Sequence, residues 1–151
     1  MNKGIIVICL VGIILIGCEG TDGADGGASS RNVLRDEATI LDSVMAINVA
    51  EDRPDGITTT FFADLDDQIY LWVLWTNVRG RHVVEVNWFS PDEEEDDPPF
   101  RTDTEVFTSE TGDQITWFFI ESPDDGFPIG SWSVEILLDG LFERRHLFSV
   151  D

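Results

Sequence analysis

In the stretch GSWSVEILLDG, residues 130–140, Trp132, Val134, Ile136 and Leu138 alternate with Ser131, Ser133 and Glu135. Successive side chains of an extended strand point to opposite faces. A period of two with this contrast in polarity therefore means a strand with one face on a core and the other in water. Asp139-Gly140 supplies the positive backbone angles of a tight two-residue turn. The chain should then return as a last strand with Phe148 and Val150 on its core face.

The same rhythm runs upstream. Candidate strands lie at Ser43–Ala50, Ile57–Ala63, Gln68–Asn77, Arg81–Phe89, Arg101–Ser109, Gln114–Glu121, Ser131–Asp139 and Leu141–Val150. Between them stand EDRPDG, DLDD, VRG, SPDEEEDDPP, TGD, SPDDGFPIG and DG, all rich in residues that make turns and break strands. QIYLWVLWTN is apolar on both faces, which predicts a central strand. Residues 31–42 space Leu34, Ala38 and Leu41 for one face of a short helix, and serve almost equally as the start of a strand. Strands at this spacing, with no long helical pattern between them, predict an all-β, antiparallel β-sandwich of about 7–8 strands over residues 40–151.

Gly130, Trp132, Val134, Asp139, Gly140, Phe148 and Val150 follow an order of glycine, tryptophan, alternating aliphatics, Asp-Gly turn, then phenylalanine and valine. In this the C-terminal stretch resembles the closing hairpin of many immunoglobulin-like domains in exported bacterial proteins. The resemblance implies an immunoglobulin-like sandwich. Such domains serve as spacers, adhesins and binding modules, so it also implies a non-catalytic protein without naming a ligand.

The N-terminus has a different logic. Met1–Lys3 make a short positive start, Ile5–Ile16 are apolar but for small interruptions, and the run stops in LIGCEG. That is the layout of a secretion signal, an expected signal helix. It is shorter than the roughly 20 residues that cross a bilayer, and its distal flank lacks the lysine and arginine of a stop-transfer segment. Leu15, Ile16, Gly17 and Cys18 resemble the lipobox of bacterial lipoproteins. The resemblance implies cleavage between Gly17 and Cys18 and acylation of Cys18. Buried acyl chains at about 0.8 kcal/mol per CH₂ anchor the product to a membrane. Residues 1–17 are then the signal peptide, and 18–31 the lipidated cysteine with a flexible Gly/Asp/Ser tether. Glu19 departs from the aspartate that retains such lipoproteins in the inner membrane of enteric bacteria, which favours the outer membrane of a cell envelope.

Processing also sets the chemistry of what remains. Cys9 leaves with the signal and Cys18 is lipidated, so the mature domain has neither thiol nor disulfide and rests on its core. With Lys3 gone, eight arginines against 30 acidic side chains leave a charge of −22 and no lysine. This excludes nucleic acid as a partner, since phosphate binding needs clustered cations. It admits attraction of cations or of a basic partner, or salty surroundings in which a Debye length of about 3 Å at 1 M screens the self-repulsion. The melting temperature should therefore climb as NaCl rises from millimolar to molar. A flat profile would remove salt adaptation as the explanation.

No catalytic signature is present: no serine in a glycine-flanked elbow, no paired-histidine helix, no glycine-rich phosphate loop. His82 and His146 stand at strand positions beside arginine, without the spacing of a zinc site. An enzyme would need a cleft where one of them meets a carboxylate or serine. Calcium has weak candidate ligands in Asp64, Asp66 and Asp67 in one loop and Asp124 and Asp125 in another; the run Asp92–Asp97 reads as a solvated, self-repelling loop. A calcium-stabilised structural domain is one alternative. The other is a carbohydrate-binding module, with a glycan stacked on an exposed tryptophan. Trp72 and Trp75 are its candidates, because residues three apart on one strand point to opposite faces and cannot both enter one core.

Overall fold

The computed structural model describes residues 37–93 and 97–151. It contains nine strands: β1 Thr39–Ala50, β2 Arg53–Ile57, β3 Thr60–Phe61, β4 Gln68–Thr76, β5 Gly80–Phe89, β6 Arg101–Ser109, β7 Asp113–Glu121, β8 Gly130–Leu138 and β9 Leu141–Val150. They form a four-stranded sheet of order β2-β1-β4-β7 and a five-stranded sheet of order β3-β9-β8-β5-β6. The protein is an all-β two-sheet sandwich.

Where turn chemistry is strong, the strands fall where the alternation places them. β4 lies between β1 and β7, as a segment apolar on both faces requires. Asp139 and Gly140 both have positive φ, at 51° and 77°, and the turn closes β8 onto β9. Trp132, Val134, Ile136 and Leu138 are buried, and so are Phe148 and Val150.

Two expectations are corrected. The expected strand Ile57–Ala63 is broken, and part of the supposed EDRPDG turn is itself strand: β2 pairs with β1 from Ala50↔Arg53 to Ala46↔Ile57. The turn is only Glu51-Asp52, both at positive φ, a conformation that aspartate tolerates but glutamate does not advertise. Pro54 is tolerated because β2 is an edge strand. After β2 the chain crosses to the other sheet. There β3 pairs parallel with β9 through Thr60↔Ser149 and Phe61↔Val150, so the sandwich is not wholly antiparallel. The start of β1 at Thr39 also settles the end of the 31–42 segment as strand; residues 31–36 lie outside the described residues.

The core is centred on three tryptophans whose indole N–H groups all find acceptors. Trp75 donates to Thr116 Oγ1 at 2.9 Å, Trp88 to Asp103 Oδ2 at 3.1 Å and Trp132 to the Pro128 carbonyl at 2.8 Å. Phe148 stacks on Trp132 at 5.8 Å and meets Phe61 and Trp88 edge-on, tying both ends of the domain into one cluster.

Candidate functional site

Leu15, Ile16, Gly17 and Cys18, the expected processing and lipidation site, lie outside the described residues. Trp72 and Trp75 do point to opposite faces of β4. Trp75 is fully buried between the sheets. Trp72 is on the outer face of the four-stranded sheet but only 8% exposed, because the β1–β2 ribbon covers it. β1 leaves β4 after Ala46↔Tyr70, and the ribbon bends back until the Asp52 carbonyl accepts the Trp72 indole N–H at 2.8 Å. Trp72 pairs with Val44, eight residues before Asp52, so only a ribbon folded over the sheet can make this bond.

The open tryptophan is Trp117 on β7, at 42% exposure. The β4–β7 register sets Tyr70 beside Phe119, Trp72 beside Trp117 and Leu74 beside Ile115, all on the outer face. Tyr70 and Phe119 stack at 5.3 Å between ring centroids, and Trp117 lies 6.2 Å from each. Polar groups continue the cluster: the Tyr70 hydroxyl donates to Gln68 Oε1 at 2.6 Å, and Gln68 Nε2 donates to Glu121 Oε1 at 3.2 Å. The sequence signal was available in TWFFI, where apolar residues occupy both faces of the strand. Only one of those faces can be core.

On the side of the sandwich where β6 and β7 are the sheet edges, a cleft of about 270 Å³ is lined by Arg101, Asp103, Thr104 and Glu105 from β6 and Trp117, Phe118 and Phe119 from β7. Asp103 is held by Arg101 and by Trp88. Glu105 makes no hydrogen bond or ion pair among the described residues, and burial pushes its carboxyl above the usual range. The outer face of the five-stranded sheet is more polar. Thr102 donates to Asn87, Asn87 donates to Glu85, and Arg145 pairs with Glu135.

Both histidines have partners. His82 Nδ1 lies 2.8 Å from Asp139 Oδ2, and its Nε2 lies 3.2 Å from the Arg79 carbonyl. Asp139 Oδ1 also accepts the Val83 amide, so this turn residue ties the β8–β9 hairpin to β5. Burial works to raise the Asp139 carboxyl, but the bonds from His82 and Val83 and the charges of His82 and Arg81 outweigh it and hold it below its usual range. His146 sits between the sheets with Nε2 2.7 Å from Ser43 Oγ, to which Arg144 also donates at 2.9 Å. Burial, then the Arg144 charge, push the His146 ring down to about 4 against the opposing pull of Asp42. Ser43 is 6% exposed, so its hydroxyl is closed to a substrate.

The acidic loops come close in one place: the Asp67 carbonyl accepts the Ser122 amide at 2.9 Å, which sets the 62–67 loop beside the 122–126 loop. Asp66 spends one carboxylate oxygen on the Phe62 amide at 2.8 Å. Among the described residues, Asp64, Asp66, Asp67, Asp124 and Asp125 do not converge into a group of three metal-ligating side chains.

Fold and surface together define a class: an all-β sandwich with an aromatic cluster on one outer face, flanked by carboxylates. Neither a protein-family model nor a curated protein matches the chain.

Proposed function

We propose that this is a lipid-anchored protein of the cell envelope, held by acyl chains on Cys18, whose sandwich is a non-catalytic binding or adhesive module. The order β2-β1-β4-β7 over β3-β9-β8-β5-β6, with a short first-half strand parallel to the last strand, supports an immunoglobulin-like reading of the domain. The observation that carries the binding role is Trp117. The residue is 42% exposed, and its ring is clustered with Tyr70 and Phe119 on a face that the core does not use. An apolar patch of this kind on a soluble domain marks an interaction surface. A second reading, carbohydrate binding, is favoured by the same ring and moves from Trp72 and Trp75 to Trp117, with Gln68 and Glu121 as hydrogen-bonding neighbours.

Two substitutions test the parts separately. Cys18→Ala should shift the protein from the membrane pellet to the soluble fraction and abolish the mass increment of the lipid; unchanged pelleting would refute the anchor. Trp117→Ala should change stability by no more than about 1 kcal/mol, as exposed sites do. The same variant should lower retention of envelope proteins or glycans by about tenfold, the loss expected of a central aromatic contact. Equal retention by wild type and variant would exclude this face.

A further inference from the structure

β7 is one edge of the four-stranded sheet and differs from every other edge among the described residues. It pairs with β4 over nine consecutive residues without a bulge, and no strand pairs with its other side among the described residues. Its sequence, DQITWFFIE, contains no proline, lysine or glycine. Free edges normally carry a device that stops another strand from adding. β2 contains Pro54, and β3 is two residues long. In β6 the register sets Arg101, Asp103 and Glu105 opposite Trp88, Val86 and Val84, which places charges on the core side of the edge. β7 has no such device between Asp113 and Glu121.

A strand added to β7 would turn alternate side chains to opposite sides. On one side they enter the cleft beside Phe118, toward Asp103 and the unpaired Glu105. On the other they lie along Trp117 and Phe119. A basic side chain suits the first environment and an apolar one the second. A second copy of β7 suits the second but not the first, since it has no basic residue, and its central antiparallel register also sets Asp113 against Glu121. We propose that β7 accepts an extended strand from a basic partner protein, with lysine or arginine turned toward Glu105 and apolar side chains on Trp117 and Phe119. This rests on the reading of the domain as a binding module and names the mode: backbone hydrogen bonds supply affinity and the alternation supplies specificity.

The test titrates the full chain, by tryptophan fluorescence and amide exchange, with capped peptides as long as β7. One alternates lysine and valine, one alternates glutamate and valine, and one is the lysine peptide N-methylated at every second residue so that its charge stays and one hydrogen-bonding edge is lost. The lysine peptide should bind at least about tenfold more tightly than either control and protect the β7 amides. Glu105→Lys should weaken it by about tenfold or more, and Glu105→Gln by less. If the N-methylated peptide binds equally well, attraction is electrostatic and β7 pairing is overturned, while the binding-module reading stands. If no lysine peptide binds but a glycan quenches Trp117, the partner class is overturned in favour of carbohydrate. A dimer in sedimentation that Trp117→Lys dissolves would overturn it in favour of self-pairing. Absence of binding to peptides, glycans and envelope proteins alike would overturn both readings.

Discussion

Trp132→Ala is expected to cost about 3–5 kcal/mol, the range for removing a buried tryptophan side chain. It removes a ring that stacks on Phe148 and meets Phe100 and Phe127 edge-on at 5.1 and 6.0 Å. It also takes the indole donor from the Pro128 carbonyl. Domains of this kind have only about 5–15 kcal/mol in total, so the variant sits near the limit of folding. Urea unfolding checks it: the midpoint should fall with an unchanged slope. Trp132→Phe, which keeps an aromatic ring but not the N–H, should lose about 1–3 kcal/mol. An alanine variant within about 1 kcal/mol of wild type would mean that the cavity collapses or that Phe148 repacks, contrary to the packing described.

Acid should destabilise the domain through His146. The ring is pushed down to about 4 when folded, against 6.5 ordinarily. Above pH 6.5 it is neutral in both states and contributes nothing to pH dependence. As pH falls below 6.5 the unfolded chain takes up a proton that the folded chain refuses, and stability drops by about 1.4 kcal/mol per pH unit. The loss levels off below about pH 4, near 3 kcal/mol in all. His146→Gln keeps a polar partner for Ser43 and removes the titration, so the difference between its stability curve and wild type should slope only between pH 6.5 and 4. Glu105 works the other way. Its raised carboxyl takes up a proton more readily when folded, so acid stabilises through it as pH falls past its folded value. Asp139, held low, loses its contribution as pH drops from its ordinary 3.8 toward its lower folded value. Both are shared by wild type and variant and cancel in the difference. Parallel curves would place the acid sensitivity elsewhere.

How far the fold could be read depended on how local its cause was. β6 and β9 span the stretches that alternation and turn residues predict, because those signals act between neighbours in the chain. β2 was hidden because Glu51-Asp52 makes a tight turn without glycine or asparagine, and because Pro54 normally argues against a strand. The binding surface was half legible. Opposed facing of Trp72 and Trp75 followed from their spacing, but neither is the open ring.

Alternation and composition alone settle the all-β class, the core face of β8, and a lysine-free, acid-rich domain beyond Cys18 with two histidines and no cysteine. These follow from side-chain direction along a strand and from composition, which need no distant partner. Which of two apolar faces stays open is settled by packing between distant segments. β4 and β7 are apolar on both sides, and the choice rests on a ribbon that bends back to set Asp52 against Trp72, twenty residues away in sequence. It stops short of Trp117, at the edge of the sheet, and leaves that ring in water. The placement of His146 against Ser43, 103 residues apart, is of the same kind. Burial and exposure at such positions are properties of the packed sheets, and no period within one strand encodes them.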